Sequence, residues 1–495
     1  MSRPAPEAFA SAYGRGEAQI VRRRLIDDLE TPISAYLKLR EGRRYAFLYE
    51  SVEGGAWRGR YSIITLDPDL VWRARGPAAE SARGDGVSND RFEPDARPTL
   101  ESLRALVAES RLEIPAELPP MAAGLFGVFG YDLVRLVEPL GAPNPDPLDL
   151  PDAVLTRPSV IAIFDAIAQE IVLTTVVRPS ADSADAAFSA AEARLDRIER
   201  DLKRPLPAPH SAEPRPQPPL AAPMTPEAFT VLVDRAKDYI AAGDIFQVVP
   251  SQRFTTSFEL DPFAFYRSLR RLNPSPFLFY LDMGAFQMAG SSPEILVRLR
   301  DGKITLRPLA GTRRRGKTPE EDQALETELL ADPKERAEHL MLLDLGRNDV
   351  GRVARPGTVR VTESFAVERY SHVMHIVSNV EGDARPDLDP VDVLLAALPA
   401  GTLSGAPKVR AIEIIDELEP VKRGIGYAGA AGYISAGGSI DACIVLRTAL
   451  FKDDALYVQS GCGVVADSNP LAEYQETLDK AAALKRAAEE AWRFA

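Results

Sequence analysis

The sequence predicts an α+β fold of large, mainly antiparallel sheets packed with helices, in a two-domain arrangement. Three observations carry this. Strand-like runs come in consecutive groups with helices set between the groups, which argues against a doubly wound parallel sheet. Gly turns separate neighbouring runs. The chain has 495 residues, 45% of them hydrophobic and 26% charged, which suits a globular protein too long for one core. Residues 204–223 hold eight prolines and no periodic signal, so they read as a linker between units at 18–203 and 224–495.

Arg44–Ser51 and Arg58–Thr65 read as a hairpin around a turn at Val52–Gly55. Residues 76–98 are polar and rich in Gly, Pro and Asp, which predicts a long surface loop. Met121–Tyr131 is Gly-rich and apolar, suggesting close backbone packing. Proline crowds 139–158. Val160–Val177 gives two apolar strands around Asp165–Gln169, and 186–203 is an amphipathic helix. After the linker, Thr225-Pro226-Glu227 opens a helix that stops at Gly243, and Asp244–Pro250 reads as a strand. Asp261-Pro262 caps a helix closed by Asn273-Pro274-Ser275-Pro276. Strands follow at 277–282, 285–290, 294–300 and 303–307. Thr318–Glu321 is a capping box that opens a long helix.

Asp332 caps the next helix, with Pro333 at its first position and Glu335 three residues after the cap. Ala337, Leu340, Met341 and Leu345 recur at helical spacing, which predicts the buried face. Pro407–Leu418 is helical. The last third alternates strands (429–435, 441–451, 455–460) with Gly turns and ends in a helix from about 470.

A net charge of −13 argues against sequence-independent nucleic-acid binding, though a local Arg cluster or a metal can still hold a small anion. Two cysteines, Cys443 and Cys462, exclude a disulfide framework and a Cys-rich zinc site. No apolar run is long enough to span a membrane and the N-terminus lacks an apolar signal core, so a cytoplasmic protein is expected.

Glu335 and Glu338 lie three apart on one helical face, as do Glu473 and Glu476 near the C-terminus. Each pair alone reads as a capping or solvated acidic face. Two such pairs can face each other across a cleft and hold one Mg²⁺. Ala310–Gly316 is a basic loop, either solvated or offering the Gly311 and Thr312 backbone and hydroxyl to an anion. Pro399–Lys408 resembles a phosphate loop, but Ala406-Pro407 separates Gly405 from Lys408, and nucleotide hydrolysis is rejected. What remains is a Gly-rich turn before a helix N-terminus. Arg447, after an apolar run, is an edge residue or a carboxylate clamp. Gly461-Cys462-Gly463 can supply backbone N–H donors. His372 and His375 have no third imidazole nearby, so zinc is a poor fit.

Seven segments in order resemble the chorismate-utilising enzymes, and within them the large-subunit family of anthranilate synthase. They are Leu48–Gly55, Asn273–Pro276, Arg307–Arg313, Asp332–His339, Val373–Ser378, Pro399–Lys408 and Gly463–Ser468. The resemblance covers nearly the whole chain. It implies a catalytic unit after the linker and a tryptophan-binding regulatory unit before it. It assigns Glu338 and Glu476 as Mg²⁺ ligands, with Glu335 and Glu473 orienting bound waters. Tyr427, Arg447 and the backbone of Gly461, Cys462 and Gly463 would grip the enolpyruvyl carboxylate of chorismate. Gly311, Thr312 and Thr402 would line the opposite wall, and Lys480 would reach the ring carboxylate. Glu294 matches the family's acid, and His375 lies near the ring. Glu50, Ser51, Pro276, Phe277 and Leu278 match the tryptophan site, with Phe277 and Leu278 in place of Tyr and Met.

Two positions select the nucleophile. Aminodeoxychorismate synthases carry Lys where this chain has Ala310, and isochorismate and salicylate synthases carry a water-activating Lys where it has Gln247. An amide is no base near neutral pH. Both point to ammonia. The resemblance implies a separate glutamine amidotransferase subunit in a heterotetramer. Neither cysteine sits in a nucleophile elbow, so this chain should not hydrolyse glutamine itself. The competing readings are an aminodeoxychorismate synthase and a non-catalytic tryptophan sensor.

Overall fold

The computed structural model describes residues 6–51, 59–207, 217–370 and 373–495. Its strands form two antiparallel ladders that share two long strands, Tyr61–Arg75 and Ala153–Asp165. The shared pair bends as a unit. Asp67 adopts φ +50° and the register slips between Pro68 and Leu70, opposite Pro158. Proline has no ladder donor, so the bend falls where few hydrogen bonds are lost.

Beyond the bend, the first ladder runs outward from the shared pair on both sides. One side adds Glu170–Val177 and then Gln19–Ile26. The other adds Phe47–Glu50, Phe277–Asp282, Gln287–Ser292, Thr448–Lys452, Ala455–Gly461 and Ser251–Ser257 in that order. The second ladder adds Ala78–Arg83 on one side. On the other it adds Gly124–Phe129, Ala430–Ser435, Ile440–Ile444, Ile295–Arg300, Lys303–Leu306 and Val373–Asp383. Gly127 sits at a close crossing, where a Cβ would fall 2.1 Å from Val154 O.

The chain crosses between the ladders at two more places, and these position the site. Gln287–Ser292 passes through Pro293 and Glu294 into Ile295–Arg300. Ile440–Ile444 passes through Arg447, at φ +47°, into Thr448–Lys452. The crossings lie side by side: Ile444 N–H donates to Glu294 O at 3.0 Å, and Ser291 N–H to Arg447 O at 3.2 Å.

Segments on either side of 204–223 interleave. Phe47–Glu50 pairs with Phe277–Asp282, and Gly124–Phe129 with Ala430–Ser435. One buried cluster takes Tyr36, Leu48 and Phe164 from the first segment and Phe265, Tyr266 and Leu484 from the second. The two expected units share one sheet system and its cores. No helix among the described residues is long and apolar enough to cross a membrane.

Several expectations are corrected. Residues 76–98 are not one loop: Ala78–Arg83 is a strand, turned back from Arg75 by Gly76 at φ +51°, and Asp85–Ser88 is a short helix. Its small buried residues, Ala79 and Ala82, give little alternation to read. Asp244–Pro250 reduces to a two-residue strand, Gln247–Val248. Leu309–Arg314 is a strand, and Arg360–Arg369 was not foreseen. Residues 441–451 break at Arg447. The helix Pro333–Val353 buries His339, Leu342, Leu343, Gly346, Asp349 and Val350, while Ala337 and Leu340 are exposed. An apolar count misses that face because two of its residues are polar and specifically bonded. The Val52–Gly55 turn and His372 lie outside the described residues.

Candidate active site

Glu294 occupies the first crossing, where a peptide leaving one ladder for the next frees its side chain from both. It is 8% exposed. Burial pushes its carboxyl up to about 8 against the pull of Thr402 and Arg447. Thr402 Oγ1 lies 3.3 and 3.4 Å from the two carboxylate oxygens. Arg447, on the adjacent crossing, is held below the usual arginine range by burial, with Glu294 opposing. Arg447 is part-exposed, and among the described residues no carboxylate forms an ion pair with it.

His375 lies on Val373–Asp383, opposite Thr312 in the ladder. Its Nδ1 is 2.9 Å from Gly311 O and 3.1 Å from Thr312 Oγ1. A carbonyl only accepts, so Nδ1 carries the hydrogen and Nε2 keeps its lone pair. Burial lowers the imidazole to about 4, so it is neutral at neutral pH.

The carboxylate pairs come from the helices Pro333–Val353 and Pro470–Glu490. Burial raises Glu338 above the usual range, helped by repulsion from Glu335 and Glu476. Gln247 Nε2 donates to Glu338 Oε1 at 3.2 Å. Arg313 Nη1 holds Glu335 at 2.9 Å. Glu473 is raised by burial, and its Oε2 is buried without a partner. Glu476 pairs with Lys480 Nζ at 2.6 Å, and the same ammonium donates to Gly461 O at 3.0 Å. Among the described residues no three His, Cys, Asp or Glu groups converge closely enough to hold a metal by themselves. Mg²⁺ is ordinarily held by one or two carboxylates with water and substrate oxygens, so the site need not be all-protein. The repulsion Glu338 feels from Glu335 and Glu476 and the unpartnered Glu473 oxygen suit a hard cation at this position.

Glycines bring the walls together. A Cβ on Gly463 would fall 2.7 Å from Gln247 Nε2, one on Gly461 2.9 Å from Tyr427 Oη, and one on Gly311 3.2 Å from Glu335 Oε2. The N–H of Cys462 is taken by Pro250 O at 3.1 Å, so the expected donor set narrows to Gly461 and Gly463.

Sequence reasoning missed the Arg423–Glu419 ion pair beneath this floor. Arg423 is 3% exposed. It donates to Leu403 O and Val249 O, each at 2.6 Å, and its guanidinium stacks 5.3 Å from the Tyr427 ring centroid. It thus ties down the segments carrying Thr402, Gln247 and Tyr427. Its Gly-rich surroundings, Arg423-Gly424-Ile425-Gly426, were the available signal. The basic run is not a free surface either: Arg313, Arg314 and Arg315 pair with Glu335, Glu321 and Asp322. Lys408 is buried against Asp349 at 2.8 Å and is no anion ligand.

The remaining predicted residues line a second cavity of about 520 Å³. Glu50, Ser51, Pro276, Phe277 and Leu278 all reach it. Leu278 is the ladder partner of Glu50. The Glu50 carboxylate is held by Tyr266 Oη at 2.6 Å and Arg270 Nε at 2.9 Å.

A family model described as chorismate binding enzyme matches residues 46–486. The fold and the site belong to that class, and the chain is a member of the chorismate-binding enzyme family. It is 58% identical to anthranilate synthase component 1 of Cereibacter sphaeroides, over 99% of this chain and 98% of that one. Anthranilate synthase component I from Streptococcus pneumoniae superimposes with a TM-score of 0.76 at 36% identity, covering 94% of this chain and 99% of that one. The isochorismate synthase MenF of Escherichia coli shares the fold, with a TM-score of 0.70 at 21% identity over 98% of this chain and 95% of that one. Within the family this chain falls among the anthranilate synthase component 1 proteins.

Proposed function

We propose that the chain aminates chorismate with ammonia and expels pyruvate, giving anthranilate, and that the reaction needs Mg²⁺. The carrying observation is the pairing at the two crossings: a buried acid, Glu294, beside a half-buried cation, Arg447, that has no carboxylate ion pair among the described residues. Arg447, Tyr427 and the Gly461 and Gly463 backbone bind the enolpyruvyl carboxylate. Glu338 and Glu476 are the Mg²⁺ ligands, supported by Glu335 and Glu473. When bound, Mg²⁺ supplies charge compensation and Lewis acidity at the ring carboxylate. Ammonia adds at C2 while Glu294 gives its proton to the departing C4 hydroxyl. The Nε2 lone pair of His375 then takes a proton as pyruvate is eliminated.

Ammonia comes from glutamine through a separate amidotransferase subunit, in a cytoplasmic complex. Both cysteines here are buried, and their thiols are raised by burial, which is unfit for a glutaminase nucleophile. The test is product analysis of the purified chain. Anthranilate should form with an ammonium salt and Mg²⁺ but not with glutamine. Isochorismate or 4-amino-4-deoxychorismate as the main product would overturn the reading.

Tryptophan is the proposed occupant of the 520 Å³ cavity, as a feedback inhibitor. Phe277 in its wall pairs with Ser292, two residues before Glu294. Cys443, also in its wall, pairs with Ile295. Filling the cavity therefore presses on the crossing that holds the acid. Inhibition requires different affinity for two arrangements of that crossing. Ser51→Phe should abolish tryptophan inhibition while activity with chorismate survives. A tryptophan titration at several chorismate concentrations reads this; unchanged inhibition would place the inhibitor elsewhere.

A further inference from the structure

A small cavity of about 30 Å³ lies behind Glu294 and Thr402 and takes no part in the chemistry above. Arg307, Gly346 and Asp349 also line it. Two polar atoms of these residues are buried without partners, Asp349 Oδ1 and Arg307 Nε. Asp349 is 3% exposed; Lys408 Nζ donates to its other oxygen at 2.8 Å, and the neighbouring Asn348 side chain also stabilises the carboxylate. Buried polar groups are almost always bonded, so an acceptor and a donor orphaned at one cavity need a common explanation.

Glu294 adds a third demand. A protonated carboxyl has a hydrogen to donate, and Thr402 Oγ1 at 3.3 and 3.4 Å is long for an O–H···O bond, whose usual length is about 2.7–2.8 Å. A polar cavity needs roughly 10–15 Å³ to admit one water, with two to four partners. This one has the room and the partners.

We propose that the cavity is a built site for one ordered water that positions the acid. The water donates to Asp349 Oδ1, accepts from Arg307 Nε–H, and accepts the Glu294 hydrogen in the resting enzyme. It holds the carboxyl hydrogen and fixes the side-chain rotamer until substrate binds, when the O–H turns to the departing hydroxyl. Asp349 and Arg307 are positioning residues, acting on Glu294 through the water. The inference rests on Glu294 being the acid.

Gly346→Ala tests it. The added methyl would meet Pro308 Cγ at 3.7 Å and Val380 Cγ2 at 3.8 Å, so it fits and reduces the cavity. Alanine is the better helix residue, so Tm should rise. The expected result is a more stable enzyme whose kcat is about tenfold lower, with the KM for chorismate unchanged. High-resolution crystal structures should show water density between Asp349 and Arg307 in the parent and none in the variant. Parental kcat in a variant that has lost the density overturns the proposal, and so does a parent structure without it. Loss of kcat in Glu294→Gln with a silent Gly346→Ala removes the water's role and leaves the acid standing. Parental kcat in Glu294→Gln removes the acid, and with it the proposed positioning role.

Discussion

Glu294→Gln lowers kcat by about 10²–10⁴-fold, the usual contribution of a positioned acid. The KM for chorismate stays near the parent's, because Glu294 grips neither carboxylate. The amide keeps the size and carbonyl acceptor of the carboxyl and replaces its acidic O–H with an NH2 that cannot give up a proton near neutral pH. The pH profile adds a sign. In the proposed mechanism Glu294 works protonated, and burial pushes its carboxyl up to about 8. The parent's kcat is therefore full below that value and falls as pH rises through it. Ammonia titrates in the same region, so free NH₃ must be held constant across the series. The Gln variant should lose this alkaline limb along with its rate. His375 contributes nothing to that limb, since its imidazole, at about 4, is already neutral. An alkaline limb that persists in the variant would assign it to another group.

The fold class and most strands were legible in the sequence because antiparallel ladders repeat a period of two and their turns carry Gly. Motif order singled out the candidate site residues, and the fold sets Thr402 beside Glu294, Gln247 beside Glu338 and Thr312 beside His375. What was not legible has physical causes. The apolar count chose Leu340 for the buried face of the central helix and passed over His339 and Asp349. His339 is fully buried because its Nε2 bonds Ser378 Oγ at 2.6 Å, and Asp349 because it meets Lys408. Paired polar residues are invisible to hydrophobic periodicity. The run 441–451 looks like one strand because it is mostly apolar on both sides of Arg447, yet the φ of +47° there turns the chain into the other ladder. Arg423 shows no periodicity at all: its role exists only once three distant segments meet around it. Residues 204–223 are proline-rich, but composition says nothing of the strands that pair across them.

Glu338→Gln removes Mg²⁺-dependent turnover while leaving the fold intact. The carboxylate is expensive to the metal-free protein. It is half-buried, and Glu335 and Glu476 repel it, which together lift it above the usual range. Neutralising it relieves that repulsion, so the variant's Tm without Mg²⁺ should equal or exceed the parent's. Its Tm should then fail to climb with added Mg²⁺, since stabilisation by a ligand scales with how tightly the native state binds it. Gln247 can still bond the new amide oxygen, so the cavity wall stays closed. Losing even an outer partner of a metal site typically costs about 10–100-fold in affinity or activity. Loss of a direct ligand should exceed that, and the Mg²⁺ needed for half-maximal rate should rise by more than about 100-fold. Glu335→Gln is the graded control: Arg313 is paired with Glu335, which leaves it an outer partner, so its loss should fall within that range. A Glu338→Gln enzyme that keeps the parent's rate and thermal shift at limiting Mg²⁺ would show that the cation, if bound, is held elsewhere.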